Sequence, residues 1–150
     1  MPYVKYAPIK IIRDRNIPLI PRQKITTPVE VVKVLDWLRL ETVECFVMIA
    51  LDAQNQLIAI NNVSRGTVSN SLVSPREVFR PAIIVNASSI IVCHNHPSGN
   101  DHPSVEDNEV TRTLVASGKI LDIPVLDHII LGGKGYYSYN ENNILDYPST

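Results

Sequence analysis

The apolar run Ser89-Ile90-Ile91-Val92-Cys93 passes without a linker into His94-Asn95-His96-Pro97-Ser98-Gly99, and the following turn ends at Ser104-Val105-Glu106-Asp107. A continuous apolar segment of this kind reads as a buried strand, and residues two apart on a strand share a face. His94 and His96 therefore leave the strand end on the same side. Ser104 and Asp107 have the spacing of a capping box, which opens a helix with a hydroxyl and a carboxylate in its first turn. The unit is strand, turn, helix. If the helix start folds back over the strand end, two ring nitrogens and one carboxylate oxygen meet. Two histidines and a carboxylate, with a fourth position left for water, is the arrangement of a catalytic rather than a structural zinc.

A chain of 150 residues with 45% hydrophobic content can bury one proper core, so a single domain over 1–150 is expected. The formal net charge of −1 gives no footprint for non-specific nucleic-acid binding, and nucleic acid is not the default partner. Cys45 and Cys93 both lie in apolar runs, where buried free thiols are expected rather than a disulfide; a reducing cytoplasm fits that usage. The N-terminus lacks the apolar core of a signal peptide, and no stretch approaches the roughly 18 apolar residues of a membrane span, so no membrane partner is expected. Nothing in the sequence specifies an oligomeric state.

Along the chain, residues 1–24 read as an edge strand followed by a proline-interrupted connector. Thr27-Pro28-Val29-Glu30 supplies an N-cap, a first-turn proline and a capping-box glutamate, and predicts a helix over 28–40. Glu44 to Leu51 and Leu57 to Ile60 read as a hairpin, with Thr67 to Val73 as a third strand. Ser74-Pro75-Arg76-Glu77 repeats the capping pattern ahead of a second helix that ends near Asn86. The third helix runs from Ser104 to Gly118, the residue type expected just beyond a helix end. Val125 to Leu131 and Tyr136 to Tyr139 close the chain as two strands before a polar tail. The fold class is α/β, a mixed sheet with helices packed against it.

Each candidate has a simpler reading. Asp107 and Ser104 are what a capping box alone requires, and one hydroxyl cannot fully serve as cap and catalytic group at once. The two histidines tip Asp107 towards metal. Asp101 is the rival carboxylate, because His94-x-His96-x4-Asp101 resembles the metal cluster of a cupin, but the helix that follows argues against that barrel. Asp101 and His102 read as turn residues. His128, beside Asp127 in a strand, reads as a hydrogen-bonded partner of the site rather than a ligand. Cys93 points away from His94 into the core. Glu44, at a strand mouth, would on its own read as a solvated charge, as would Glu41. The contiguous His94-Asn95-His96 is not the dispersed pattern of a nuclease, and the signature of a zinc deaminase is absent.

The spacing of His94, His96, Ser104 and Asp107 matches that of the JAMM (MPN-type) zinc metallopeptidases. Ser74-Pro75-Arg76-Glu77, His94 to Gly99, Pro103 to Asp107 and Leu126-Asp127-His128-Ile129-Ile130 further resemble the bacterial RadC family, over roughly residues 43–135. The resemblance implies a cytidine-deaminase-like fold, zinc held by His94, His96 and Asp107, Ser104 at the oxyanion and Glu44 as the catalytic glutamate. It also implies a peptide or protein substrate. Longer RadC proteins carry a helix-hairpin-helix region, which residues 1–42 are too short and too proline-interrupted to supply, and the family has been associated with DNA repair. The expected activity is hydrolysis of peptide or isopeptide bonds; the alternatives are a metal-dependent nuclease or DNA-repair accessory, and an interaction domain with a structural zinc.

Overall fold

The computed structural model describes residues 21–66 and 73–145. Its elements in chain order are α1 (Pro28–Leu35), a 3-10 turn (Asp36–Leu40), β1 (Glu44–Leu51), β2 (Leu57–Gly66), α2 (Pro75–Ile84), β3 (Ser89–Asn95), α3 (Val105–Leu121), β4 (Val125–Leu131) and β5 (Tyr136–Ser138). Among the described residues the strands form one five-stranded sheet in the order β2-β1-β3-β4-β5. β3 and β4 are parallel, joined by α3 as the crossover, and every other neighbouring pair is antiparallel. This is the expected α/β class. The edge strand read before Arg22 and all but the last residue of the strand read at Thr67 to Val73 lie outside the described residues.

The central strands are covered on both sides, which is why they are almost continuously apolar. Alternation along them divides the core. Phe46, Met48, Ile90 and Val92 face α2 and α3, where Val78, Phe79, Val110 and Leu114 pack. Val47, Ile49, Ile91 and Cys93 face the other way, onto Val31, Leu35 and Leu38. His94 continues the even-numbered set and so emerges on the α3 side, opposite to Cys93. Each large apolar side chain buried in this way stabilises the fold by about 1.5–3 kcal/mol. Among the described residues, no helix is long and apolar enough to cross a membrane.

The departures from the sequence reading have local causes. The helix expected over 28–40 is α-helical only to Leu35 and then tightens into the 3-10 turn. That winding aligns residues three apart. Arg39 thereby lies over Asp36, at 2.9 Å, and reaches the carbonyls of Gly132 (2.6 Å) and Gly135 (2.9 Å) across the fold. β2 runs on to Gly66, beyond Ile60, because an edge strand keeps its backbone pairing after its side chains turn polar at Asn61 and Asn62. At α2 the expected capping box does not form: Ser74 makes no side-chain cap, and Glu77 instead pairs with Arg80 at 2.8 Å.

The largest departure is at the end of α3. The helix passes through Gly118 and stops at Leu121, with Asp122 in the left-handed conformation (φ 58°) as its cap. Gly118 serves packing instead of termination. A Cβ there would lie 2.6 Å from the Ile123 carbonyl oxygen and 3.3 Å from the Phe79 ring. Gly118→Ala should therefore destabilise the protein by about 1–3 kcal/mol in denaturant unfolding, outweighing the roughly 1 kcal/mol that alanine gains in a helix interior. A stabilised variant would show that this contact relaxes freely.

Candidate metal centre

β3 and α3 meet where their sequences put their chemistry. His94 is fully buried at the end of β3, and His96, one residue past the strand, returns to the same face. The two Nε2 atoms are 3.0 Å apart. Asp107 completes the triangle, with Oδ1 3.1 Å from His94 Nε2 and Oδ2 3.2 Å from His96 Nε2. The turn between them is anchored to the strand after α3. The His96 N–H donates to Leu131 O (2.9 Å) and the Gly133 N–H to Gly99 O (2.9 Å). A Cβ on Gly132 would lie 2.7 Å from Gly99 O, so glycine is what permits this approach.

The capping box of α3 is also formed, and it coexists with the cluster. The Asp107 N–H donates to Ser104 Oγ (3.0 Å), and Asp107 Oδ2 accepts from the Ser104 N–H (2.8 Å). Asp107 Oδ1 remains for His94. The Ser104 hydroxyl uses a lone pair to cap, which leaves its proton to donate.

The donor set fits a cation. His96 Nδ1 is 2.7 Å from the Asn100 carbonyl, which can only accept, so Nδ1 carries the proton and the Nε2 lone pair faces Asp107. A bare imidazole nitrogen and a carboxylate at this distance need either a proton or a metal between them. Imidazole nitrogens with a carboxylate oxygen suit a divalent transition ion. His94, His96 and Asp107 form a group able to hold one, their ligand atoms lying within 4.8 Å of one another. Asp101 is not in that group. Its side chain lies against the backbone of Gly132 and Gly135, while His102 packs its ring against Tyr137.

The electrostatics of the metal-free cluster follow. Burial would raise the Asp107 carboxyl, but hydrogen bonds with His94 and His96 outweigh it and hold it well below the usual carboxylate range. The hydrogen bond to Asp107 lifts His96 above its ordinary 6.5, against the effect of its own burial. A metal must displace that proton. Apparent metal affinity should thus be level above the raised His96 pKa and fall by about tenfold per pH unit below it, for one displaced proton. Competition against a chelator of known pH dependence, across the neutral to mildly acidic range, measures this. Affinity unchanged with pH would mean that no proton occupies the site.

Glu44 opens β1. The β1–β3 register ends with Phe46 paired to His94, two residues from Glu44. The Glu44 charge is one of the influences that raise His96. Glu41 is differently placed, in an ion pair with Arg65 at 2.5 Å. The entry to β1 is held by Asn95, a buried side chain between the two histidines that points to the opposite face. Its Oδ1 accepts from the Cys45 N–H (2.7 Å), and its Nδ2 donates to Val43 O (3.0 Å). Asn95 was not anticipated from sequence. The available signal was a polar residue at a position that alternation assigns to the apolar face. His128 takes the place expected of it, as a buried partner with Nε2 2.8 Å from His94 Nδ1. Thr111 was also passed over, although it lies one turn beyond Asp107 on the same helix face.

The family described as the RadC-like JAB domain matches residues 25–144, a span that contains the cluster, Glu44 and His128. The chain belongs to this RadC-like family. Its relatives include a UPF0758 protein of Symbiobacterium thermophilum, 49% identical over 104 residues, covering 69% of this chain and 44% of the relative. Others come from Clostridium perfringens, 44% identical over 123 residues (81% and 54%), and Clostridioides difficile, 45% identical over 125 residues (83% and 53%). The RadC-like chain thus spans about half the length of the curated relatives it matches.

Proposed function

We propose that this RadC-like domain is a zinc-dependent hydrolase of peptide or isopeptide bonds. The observation that carries the reading is the convergence of His94, His96 and Asp107 within 3.0–3.2 Å, with the charge of Glu44, at the mouth of β1, acting on His96. When bound, zinc would polarise the scissile carbonyl and make water acidic near neutral pH, with a pKa of about 7. His94, His96 and Asp107 would hold it. Glu44 accepts the proton of the attacking water and returns it to the leaving amine. The Ser104 hydroxyl, its lone pair engaged by the helix cap, donates its proton as a hydrogen bond to the developing oxyanion. Asn95 holds the backbone around Glu44 so that its carboxylate keeps its place relative to His96.

The net charge of −1 favours a peptide or protein substrate over a nucleic acid. The buried free thiols Cys45 and Cys93 suit a reducing cytoplasm. The test is to assay the zinc-loaded protein in parallel on panels of peptides, isopeptide-linked conjugates and nucleic acids. Cleavage of a peptide or isopeptide bond, abolished by chelation and restored by zinc, is expected. Cleavage of nucleic acid alone would overturn the reading in favour of a nuclease.

A further inference from the structure

We propose that Thr111 and His128 are positioning residues that select the ring tautomer in which His94 offers its Nε2 lone pair to the metal. The inference rests on the metal site proposed above and concerns how that site is kept ready to bind. It begins at the hydroxyl of Thr111, which is 2.6 Å from the carbonyl oxygen of Asp107. A carbonyl can only accept, and two oxygens this close without a proton between them would repel, so the hydroxyl proton lies on that contact. The Thr111 oxygen is then left with lone pairs facing His128 Nδ1, also at 2.6 Å. His128 Nδ1 must be the donor.

His128 is fully buried, and neither of its two hydrogen-bond partners, Thr111 and His94, is a carboxylate. A cationic ring is costly in such a place, so the imidazole holds a single proton. With that proton on Nδ1, His128 Nε2 is an acceptor. His94 Nδ1, 2.8 Å away, must donate to it. His94 therefore carries a proton on Nδ1, which leaves Nε2, the nitrogen facing Asp107 and His96, as the one open to a metal. The rings have little freedom to rearrange. His128 stacks on Tyr139 (centroids 5.0 Å, 9°) and His94 on Phe46 (5.7 Å, 14°).

The result is a loop in which α3 acts twice. Asp107 supplies the carboxylate to the site, and one turn later Thr111 uses the backbone carbonyl of the same residue to orient its own hydroxyl. A distant strand, β4, supplies His128 as the link. Nothing in this chain requires the ion to be present, so the Nδ1 proton of His94 is a property of the folded protein itself.

The test reads the tautomer and the affinity separately. Nitrogen-15 NMR of the chelated full chain, through the long-range ring couplings, reports which nitrogen of His94 is protonated. Chelator competition then gives zinc affinity for the wild type, Thr111→Val, Thr111→Ser and His128→Phe. Expected are Nδ1-protonated His94 in the wild type and in Thr111→Ser, and a mixed or reversed tautomer in Thr111→Val. Zinc affinity should fall about 10–100-fold in Thr111→Val and His128→Phe and be kept in Thr111→Ser. His94 without a proton on Nδ1 in the wild type, or wild-type zinc affinity in a folded Thr111→Val, would overturn the proposal. Should Thr111→Val fail to fold, the wild-type spectrum decides alone. A wild type that binds no zinc but shows the Nδ1 tautomer would refute the proposed function and leave the proton chain standing.

Discussion

Glu44→Gln is expected to keep its fold and its metal while losing about 10²-fold or more in peptide hydrolysis, the usual scale for a positioned general base. The amide has nearly the size of the carboxylate but cannot take the water's proton. Glu41→Gln is the control. It releases Arg65 from an exposed, solvent-screened ion pair and should leave cleavage almost unchanged. Metal content and cleavage are measured on both variants. Unaltered cleavage in Glu44→Gln would remove Glu44 from the mechanism, and a loss confined to Glu41→Gln would transfer the role to that residue.

Replacing a residue of the cluster should have the larger effect on binding. His96→Ala and Asp107→Asn are expected to lose zinc by more than the about 10–100-fold typical of outer partners, because each removes a donor that no neighbour replaces. Asp107→Asn is preferred to alanine at that position. The asparagine oxygen can still accept from the Ser104 N–H, so the capping contribution of about 1 kcal/mol is retained and metal loss is read on a folded protein. Asp101→Ala should keep its zinc. Metal analysis after dialysis checks all three. Stoichiometric zinc in both cluster variants would remove the proposed ligand set, and loss in Asp101→Ala alone would restore the rival carboxylate.

The strand, turn and helix from Ser89 to Asp107 were legible because each piece has its own local signal. An apolar run, an i and i+2 histidine pair and a capping box need no tertiary information to be read. What depended on distant partners was not legible. Gly118 looked like a helix end because glycine is common there, whereas its reason for being glycine is the backbone of Ile123 and the ring of Phe79. The tightening after Leu35 answers to the carbonyls of Gly132 and Gly135, far along the chain. Glu77 had two partners within reach, and the ion pair with Arg80 formed in place of the cap.

The site divides in the same way. His94, His96, Ser104 and Asp107 declare themselves by residue type and spacing, and the structure brings them together. One carboxylate serves both the cap and the cluster, Oδ2 accepting from the Ser104 N–H while Oδ1 faces His94. Glu44 required the β1–β3 pairing, which brings the mouth of β1 beside His94 only once the sheet is assembled. Asn95 was missed because its hydrogen bonds go to backbone atoms, which have no sequence of their own, and Thr111 because its partners are the Asp107 carbonyl and a side chain of distant β4.

X-ray absorption at the zinc edge, on full-length chain loaded with one equivalent of the metal, tests the centre most directly. Two imidazole nitrogens and two oxygens, one from Asp107 and one exchangeable, are expected at about 2.0–2.2 Å. The exchangeable oxygen is the feature a hydrolase needs. A sulfur shell at about 2.3 Å from Cys45 or Cys93, or a third imidazole from His128, would close the site with protein ligands and contradict the assignment of a catalytic centre.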